Sequence, residues 1–295
     1  MGKLDGKAAL VTGAGRGLGR AIAKGLAAQG AAVLINDLGV TLAGEKEPSS
    51  PADQVAAEIK AAGGQAAVNY GSVSKWSDAE GMVQQAIKEF GKLDILVNVA
   101  GILRDRMIFN MAEEEWDAVL NVHLKGTFNC SRFASVHMRE RKHGRIINIS
   151  SAAALGSPGQ PNYAAAKAGI LGLTFSCANA LGKYGITCNA IMPQAATRMT
   201  DLVPRDRGIN IPTSETAAGT PSDPANVAPI IIYLASDEAA EINGQIFGSE
   251  GYRLLRYRHI FWDKVVYGNG PWDIDELFKV MKRTLARDLE KPRIM

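Results

Sequence analysis

Short apolar runs alternate with longer stretches of helical periodicity through most of the chain. Ala8–Val11, Ala32–Ile35, Leu93–Val97, Ile146–Ile149 and Ile186–Ile191 are short and almost wholly apolar. Runs of that kind, without polar alternation, predict parallel strands buried on both faces. Between them, Leu18, Ile22 and Leu26 repeat at helical spacing, as do Val55 and Ile59, then Met82, Val83, Ala86 and Ile87. Each set predicts a helix with one apolar face. Strand and helix in strict alternation predict right-handed βαβ units and an open parallel sheet, an α/β fold. Two segments break the rhythm. Gly39–Ala52 is rich in Gly, Pro, Ser and charge and predicts a surface excursion. Thr200–Pro229 holds Pro204, Pro212, Pro221, Pro224 and Pro229 and predicts a loop beyond the strand ends, where substrate lids are found.

Composition narrows the class. The chain has 295 residues, 46% apolar and 21% charged, enough for a large core without metal or disulfide staples. A net charge of +3 carries no basic excess of the kind a nucleic-acid binder shows. Cys130, Cys177 and Cys188 fit neither a disulfide framework nor a zinc site, and His123, His137, His143 and His259 show no ligand-like pairing. No metal is expected. No uninterrupted apolar run reaches the ~20 residues of a membrane span, and the amino terminus lacks a signal peptide's apolar segment. A soluble, cytoplasmic protein is expected. Residues 251–295 carry 10 Lys and Arg against 6 Asp and Glu, so the tail supplies the positive excess. The chain divides into a domain over 1–250 and an extension over 251–295. In the extension, Asp273 and Glu276 form a capping box after Trp272. Ile274, Leu277, Phe278, Met281 and Leu285 predict an amphipathic helix from about 274 to 289.

The chemistry sits at the strand ends. Gly13, Gly15, Gly17 and Gly19, with Arg16 and Leu18 among them, lie between the first strand and the first helix. Glycines there permit a tight turn and close approach of backbone to a pyrophosphate, which the helix N-terminus attracts. Asp37 ends the second strand, where a carboxylate accepts from adenosine ribose hydroxyls and repels a 2′-phosphate. Arg16 argues the other way, since a guanidinium can pair with that phosphate. The balance favours NAD over NADP. Tyr163 and Lys167 are i, i+4 neighbours on a predicted helix. A nearby ammonium lowers a phenol's pKa, which suits a general acid–base near neutral pH. Ser150 and Ser151 follow the strand Ile146–Ile149, where a hydroxyl can hold a substrate oxygen.

Together, Gly13–Gly19, Asn98-Val99-Ala100-Gly101, Asn121, the Ser150-Ser151 pair and Tyr163/Lys167 resemble the short-chain dehydrogenase/reductase family, over about residues 6–250. The resemblance implies a Rossmann-like, doubly wound parallel sheet in a single domain with a C-terminal helical extension. It implies hydride transfer between a nicotinamide cofactor and a carbonyl/alcohol pair. By position, Tyr163 would donate and accept the proton, and Lys167 would hold the nicotinamide ribose and tune Tyr163. Ser151 would position the substrate oxygen, with Ser150 as the alternative, and Asn121 would anchor a relay water. Asn98, Ala100, Gly101, the backbone of Val73, and Thr197 would line the cofactor. Val99 and Gly71 depart from the family pattern. Family members commonly form dimers or tetramers, so a homo-oligomer is implied; Phe128, Phe133, Leu171 and Phe175 are compatible with its contacts and equally with core.

A narrower resemblance rests on Ile35–Gly39 with its insertion, Gly101–Arg106, Ala195–Thr200 and the long tail. It is to the (3R)-hydroxyacyl-CoA dehydrogenase part of peroxisomal multifunctional enzyme type 2, whose relatives also oxidise the 17β-hydroxyl of steroids. The implied reaction is NAD-dependent oxidation of a (3R)-3-hydroxyacyl-CoA to the 3-oxoacyl-CoA. A hydroxysteroid or other secondary-alcohol dehydrogenase, a 3-oxoacyl-ACP reductase and a non-catalytic dinucleotide-binding subunit stay as alternatives. Arg253, Arg256, Arg258 and Lys264 are candidates for the phosphates of an acyl-CoA; Arg104 and Arg106 fit a salt-bridged structural role better.

Overall fold

A computed structural model describes residues 2–40, 50–202, 212–259, 263–267, 271 and 273–288. Seven parallel strands run β1 (Ala8–Thr12), β2 (Ala32–Asn36), β3 (Ala66–Asn69), β4 (Ile95–Asn98), β5 (Gly144–Ile149), β6 (Ile186–Gln194) and β7 (Ile246–Glu250). An eighth, β8 (Arg253–Arg256), closes the edge antiparallel to β7. The sheet order is β3-β2-β1-β4-β5-β6-β7-β8. The chain winds outward from β1 to β3, crosses back to β4 beside β1, and winds outward again. That reversal opens a crevice at the carboxyl ends of β1 and β4, the place where open α/β sheets bind ligands.

Strand pleating divides the core into two layers. Ala9, Val11, Val33, Ile35, Ile95, Val97, Ile147 and Ile149 face one way. They pack on α1 (Gly17–Ala28), α2 (Pro51–Ala61) and α7 (Ala228–Ala235) through Ile22, Leu26, Val55, Ile59, Ile231 and Leu234. Leu10, Leu34, Leu96, Ile146, Ile186 and Cys188 face the other way. There they meet α3 (Trp76–Phe90) and α5 (Gly126–Arg141) through Met82, Val83, Ala86, Cys130, Ala134 and Met138, and α6 (Pro161–Leu181) through Ala178. Each fully buried Ile or Leu contributes about 1.5–3 kcal/mol. α4 (Glu113–Leu120) precedes α5, and the two are joined by a π-helical turn over Asn121–Lys125.

Several expectations change in detail. β7 and β8 add strands after the fifth apolar run, and β6 extends to Gln194. Residues 41–49 of the excursion after β2 and 203–211 of the proline-rich segment, with Pro204, lie outside the described residues; Pro51 and Ala52 already belong to α2. In helical form, Pro161–Tyr184 is long and apolar enough to cross a membrane, a property no uninterrupted run in the sequence displays. Here it packs along β6 and buries Asn162, Lys167 and Thr174. In the extension, α8 (Ile274–Arg283) has Asp273 as its N-cap, accepting from the Glu276 amide at 3.1 Å. It ends about six residues before the predicted boundary, and residues 284–288 turn instead. Trp272 lies outside the described residues. Ile274 and Phe278 on α8 are each 66% exposed, so their apolar face is open to solvent in the single chain.

Candidate active site

The crevice has a floor made of backbone. Thr12, at the end of β1, accepts the Val99 and Ala100 amides at 3.0 and 3.2 Å, locking the loop after β4 to the glycine turn. Gly13 has φ +63, and a Cβ there would lie 2.7 Å from Ala100 Cα. Gly19 is held tighter still, since its Cβ would meet the Gly13 carbonyl oxygen at 2.1 Å. No larger residue fits either place without moving the turn. Arg16 is the N-cap of α1, no side chain caps the helix, and no acid occupies its first turn. Its N-terminus therefore presents amides and a positive dipole end to the crevice. Thr197, beyond β6, faces Gly17: a Cβ there would lie 3.4 Å from Thr197 Cγ2.

Asp37 closes the far side. Its carboxylate accepts from the Gly15 amide at 2.9 Å and from the Gly39 amide at 2.9 Å. Asn98 is buried and donates to Asn148 Oδ1 at 2.9 Å and Ser131 Oγ at 3.2 Å, tying β4 to β5 and α5. Asn148 passes the connection on to Thr174 of α6 at 2.9 Å. The Val73 carbonyl accepts from Asn129 at 2.9 Å, which fixes that backbone against α5. Amides without a side-chain cap, a carboxylate at the second strand end and glycines packed to contact fit a dinucleotide.

The chemical half lies at the carboxyl ends of β4 and β5. Tyr163 and Lys167 share one face of α6, with Lys167 Nζ 5.4 Å from the phenol ring centroid. Lys167 is buried and donates to the Ile149 carbonyl at 2.7 Å. The two serines separate cleanly. Ser150 is 1% exposed and donates to the Lys167 carbonyl at 2.8 Å, so its hydroxyl is committed to structure. Ser151 is half-buried, its hydroxyl accepts the Ala153 amide at 3.2 Å, and it lies near enough to the Tyr163 phenol to lower that group's pKa. The rim is tied across the opening: Gln160 donates to Asp105 at 2.7 Å, and Asn162 donates to the Arg104 carbonyl at 2.9 Å. Arg106 pairs with Glu115 at 2.8 Å.

Two expectations need correction. Asn121 does not reach the pocket. Its side chain is exposed, and its carbonyl accepts the Gly126 amide across the π turn. His123 is there instead, 1% exposed, with its ring edge-on to Tyr163 at 5.1 Å and 88°. The sequence held a signal for this. Val119, His123, Thr127, Cys130 and Ala134 follow one another at helical spacing and are all buried. Asn121, two residues from His123, falls on the opposite side.

The second correction concerns the phenol. Burial pushes Tyr163 up to about 12; its hydrogen bond from Ser151 pulls the other way, and the Asp105 carboxylate adds to the rise. Burial also pulls Lys167 down to about 7. The expected lowering of Tyr163 by Lys167 is absent because the Lys167 ammonium points to the Ile149 carbonyl and is itself desolvated. His123 is pulled down to about 3 by burial and by the nearby Lys167 charge, so its ring is neutral. Pocket residues are thus all driven toward their uncharged forms.

Comparisons with known proteins agree with this geometry. A family model described as short chain dehydrogenase matches residues 7–207. The hydroxyacyl-CoA dehydrogenase ChsB1 of Mycobacterium tuberculosis is 42% identical, the match covering 98% of this chain and 92% of that protein. Peroxisomal multifunctional enzyme type 2 of Mus musculus is 44% identical over 83% of this chain, which spans only 32% of the mouse protein. The 3-oxoacyl-[acyl-carrier-protein] reductase FabG of Staphylococcus aureus is 41% identical over 83% of this chain and 97% of its own. A crystal structure of a short chain dehydrogenase from Mycobacterium avium superposes with a TM-score of 0.85 at 41% identity, covering 100% of this chain and 99% of that one.

Proposed function

The chain belongs to the short-chain dehydrogenase family and is an oxidoreductase, and from that premise we propose that it oxidises (3R)-3-hydroxyacyl-CoA to 3-oxoacyl-CoA with NAD. The observation that carries the reading is the Tyr163 phenol with Lys167 Nζ 5.4 Å from its ring centroid and Ser151 beside it, at the edge where the glycine turn also opens. Residues 1–250 form the catalytic unit in this reading, and 251–295 form its extension. The acyl-CoA side rests on the hydroxyacyl-CoA dehydrogenase relative. The preference for NAD rests on Asp37, whose charge stands where the ribose hydroxyls belong and opposes a 2′-phosphate.

When bound, the nicotinamide supplies the hydride acceptor. The chain's own groups handle the proton and the geometry. Ser151 holds the substrate oxygen, Tyr163 takes the hydroxyl proton as the ketone forms, and Lys167 holds the nicotinamide ribose. One proton is released for each alcohol oxidised. Because Tyr163 is protonated in the substrate-free chain, it must lose that proton before oxidation, and raising the pH favours this direction. Gly13, Arg16, Gly17, Leu18, Gly19, Asn98, Ala100, Gly101, Val73 and Thr197 line the cofactor crevice in this reading. A homo-oligomer would use the outer faces of α5 and α6, where Phe128 is 44% exposed.

A second reading, reduction of a 3-oxoacyl thioester on an acyl carrier protein, is favoured by the FabG relative and by the protonated phenol, a ready donor. Purified chain assayed for oxidation of 3-hydroxyacyl-CoAs of both configurations, steroids and cyclic alcohols with NAD and NADP, and for reduction of a 3-oxoacyl-ACP with NADH and NADPH, separates the two. Turnover of the (3R)-hydroxyacyl-CoA with NAD is the expected result. Reduction of a 3-oxoacyl-ACP with NADPH at far higher kcat/KM would install the second reading.

A further inference from the structure

His123 sits behind Tyr163 with one nitrogen used and one open. Nε2 lies 3.0 Å from the Ile102 amide and 2.8 Å from the Ile102 carbonyl. Nδ1 is buried and has no hydrogen-bond partner among the described residues. The loop after β4 is shaped around the ring: a Cβ on Gly101 would lie 2.3 Å from His123 Cε1. The ring is carried on the π-helical turn Asn121–Lys125, an insertion of the kind that recurs at functional sites. A buried nitrogen left unpaired costs about 1–3 kcal/mol, so a histidine kept only for packing would be replaced at a gain.

We propose that His123 is a positioning residue for the Tyr163/Lys167 pair, its ring edge fixing the phenol and its Nδ1 accepting a hydrogen bond on the path by which that pair exchanges its proton with solvent. The inference rests on the reading of Tyr163 as the proton-transfer group. His123 stays neutral throughout: it receives a hydrogen bond, and the proton released by the alcohol leaves through Tyr163 to water. Tyr163 and Lys167 on α6 and Asp105 on the rim are titratable groups whose charge bears on this path.

The test compares His123→Phe, which keeps a ring beside Tyr163 and removes both nitrogens, with His123→Asn, which restores a polar group. NADH binding, thermal midpoint, kcat, KM and the pH profile of kcat are measured on the full chain. His123→Phe should bind NADH within about threefold of the parent and lose roughly 10- to 100-fold in kcat, the scale of proton-transfer assistance, at little changed KM. Its kcat profile should shift along the pH axis, and His123→Asn should recover most of kcat and the parental profile. Parental kcat and profile in His123→Phe would overturn the proposal. So would equal losses in both variants without a shift in profile. If His123→Phe does not fold, His123→Leu against His123→Gln decides on the same readouts. A parent chain that binds NADH but turns over no secondary alcohol, or a fully active Tyr163→Phe, would instead defeat the functional reading itself.

Discussion

The glycine turn after β1 and the pocket around Tyr163 open on the same sheet edge, yet they are made differently. The first is backbone: Gly13 and Gly19 packed against carbonyls and Cα atoms, with the amide end of α1 behind them. The second is titratable side chains, Tyr163, Lys167 and His123, each pushed by burial toward its neutral form. Each half should therefore fail in its own way. Added bulk breaks the first, whereas loss of particular atoms or a change of pH breaks the second.

The sharpest contrast comes from Gly19→Ala. Its Cβ would overlap the Gly13 carbonyl, so the turn must shift, and overpacking of this kind costs about 1–3 kcal/mol. NADH binding, followed by fluorescence titration, should weaken by roughly 100-fold or more because the phosphate-facing amides move with the turn. Unchanged NADH affinity would mean that the turn does not hold the cofactor. Lys167→Met is the counterpart in the other half. It keeps bulk but removes the Ile149 hydrogen bond and the charge beside Tyr163. A kcat loss of roughly 10²- to 10³-fold with a smaller change in thermal midpoint is expected.

Asp37→Asn separates charge from shape within the glycine half. If Asp37 holds the ribose as proposed, its charge-assisted hydrogen bonds there would be worth about 1.5–3 kcal/mol, so NAD should lose roughly 10- to 100-fold in kcat/KM. NADP, freed of repulsion, should lose far less or gain. A uniform loss for both cofactors would show that Asp37 serves only the Gly15 and Gly39 amides.

The remaining contrast is in stability against pH, to which the pocket contributes through His123 and Lys167. His123 is held near 3 in the folded chain against an ordinary value of 6.5. The unfolded chain therefore binds the extra proton between these values. Stability present above about pH 6.5 is lost as pH falls toward 3, with a slope of at most about 1.4 kcal/mol per pH unit. Lys167, lowered from 10.5 to about 7, acts with the same sign, and stability rises with pH between those values. In denaturant melts at several pH values, the stability of the parent relative to His123→Phe should fall as the pH drops below about 6.5. A constant gap down to pH 4 would contradict the assigned burial.

The glycine half was almost wholly legible in the sequence, because tight turns leave glycines at fixed places and the acid at the next strand end follows in order. Tyr163 and Lys167 were legible as well, through their helical spacing. The pocket's charge state was not, since it depends on desolvation by chain segments far away in sequence, such as the loop bearing Ile102 and the end of β5. Asn121 was misplaced for a related reason. Residue type alone points to Asn121, whereas the buried face runs through Val119, His123 and Thr127. The tail shows the limit of pattern from the other side: Asp273 starts α8 as its side chain dictates, while its end falls short of the apolar periodicity that continues to Leu285.

Tyr163→Phe is the decisive variant, because it removes one oxygen and leaves the ring that packs on His123. NADH affinity should match the parent's, while turnover of the (3R)-hydroxyacyl-CoA should fall by roughly 10³-fold or more, the upper range for loss of a proton-transfer group. Parental turnover in that variant would contradict the account outright.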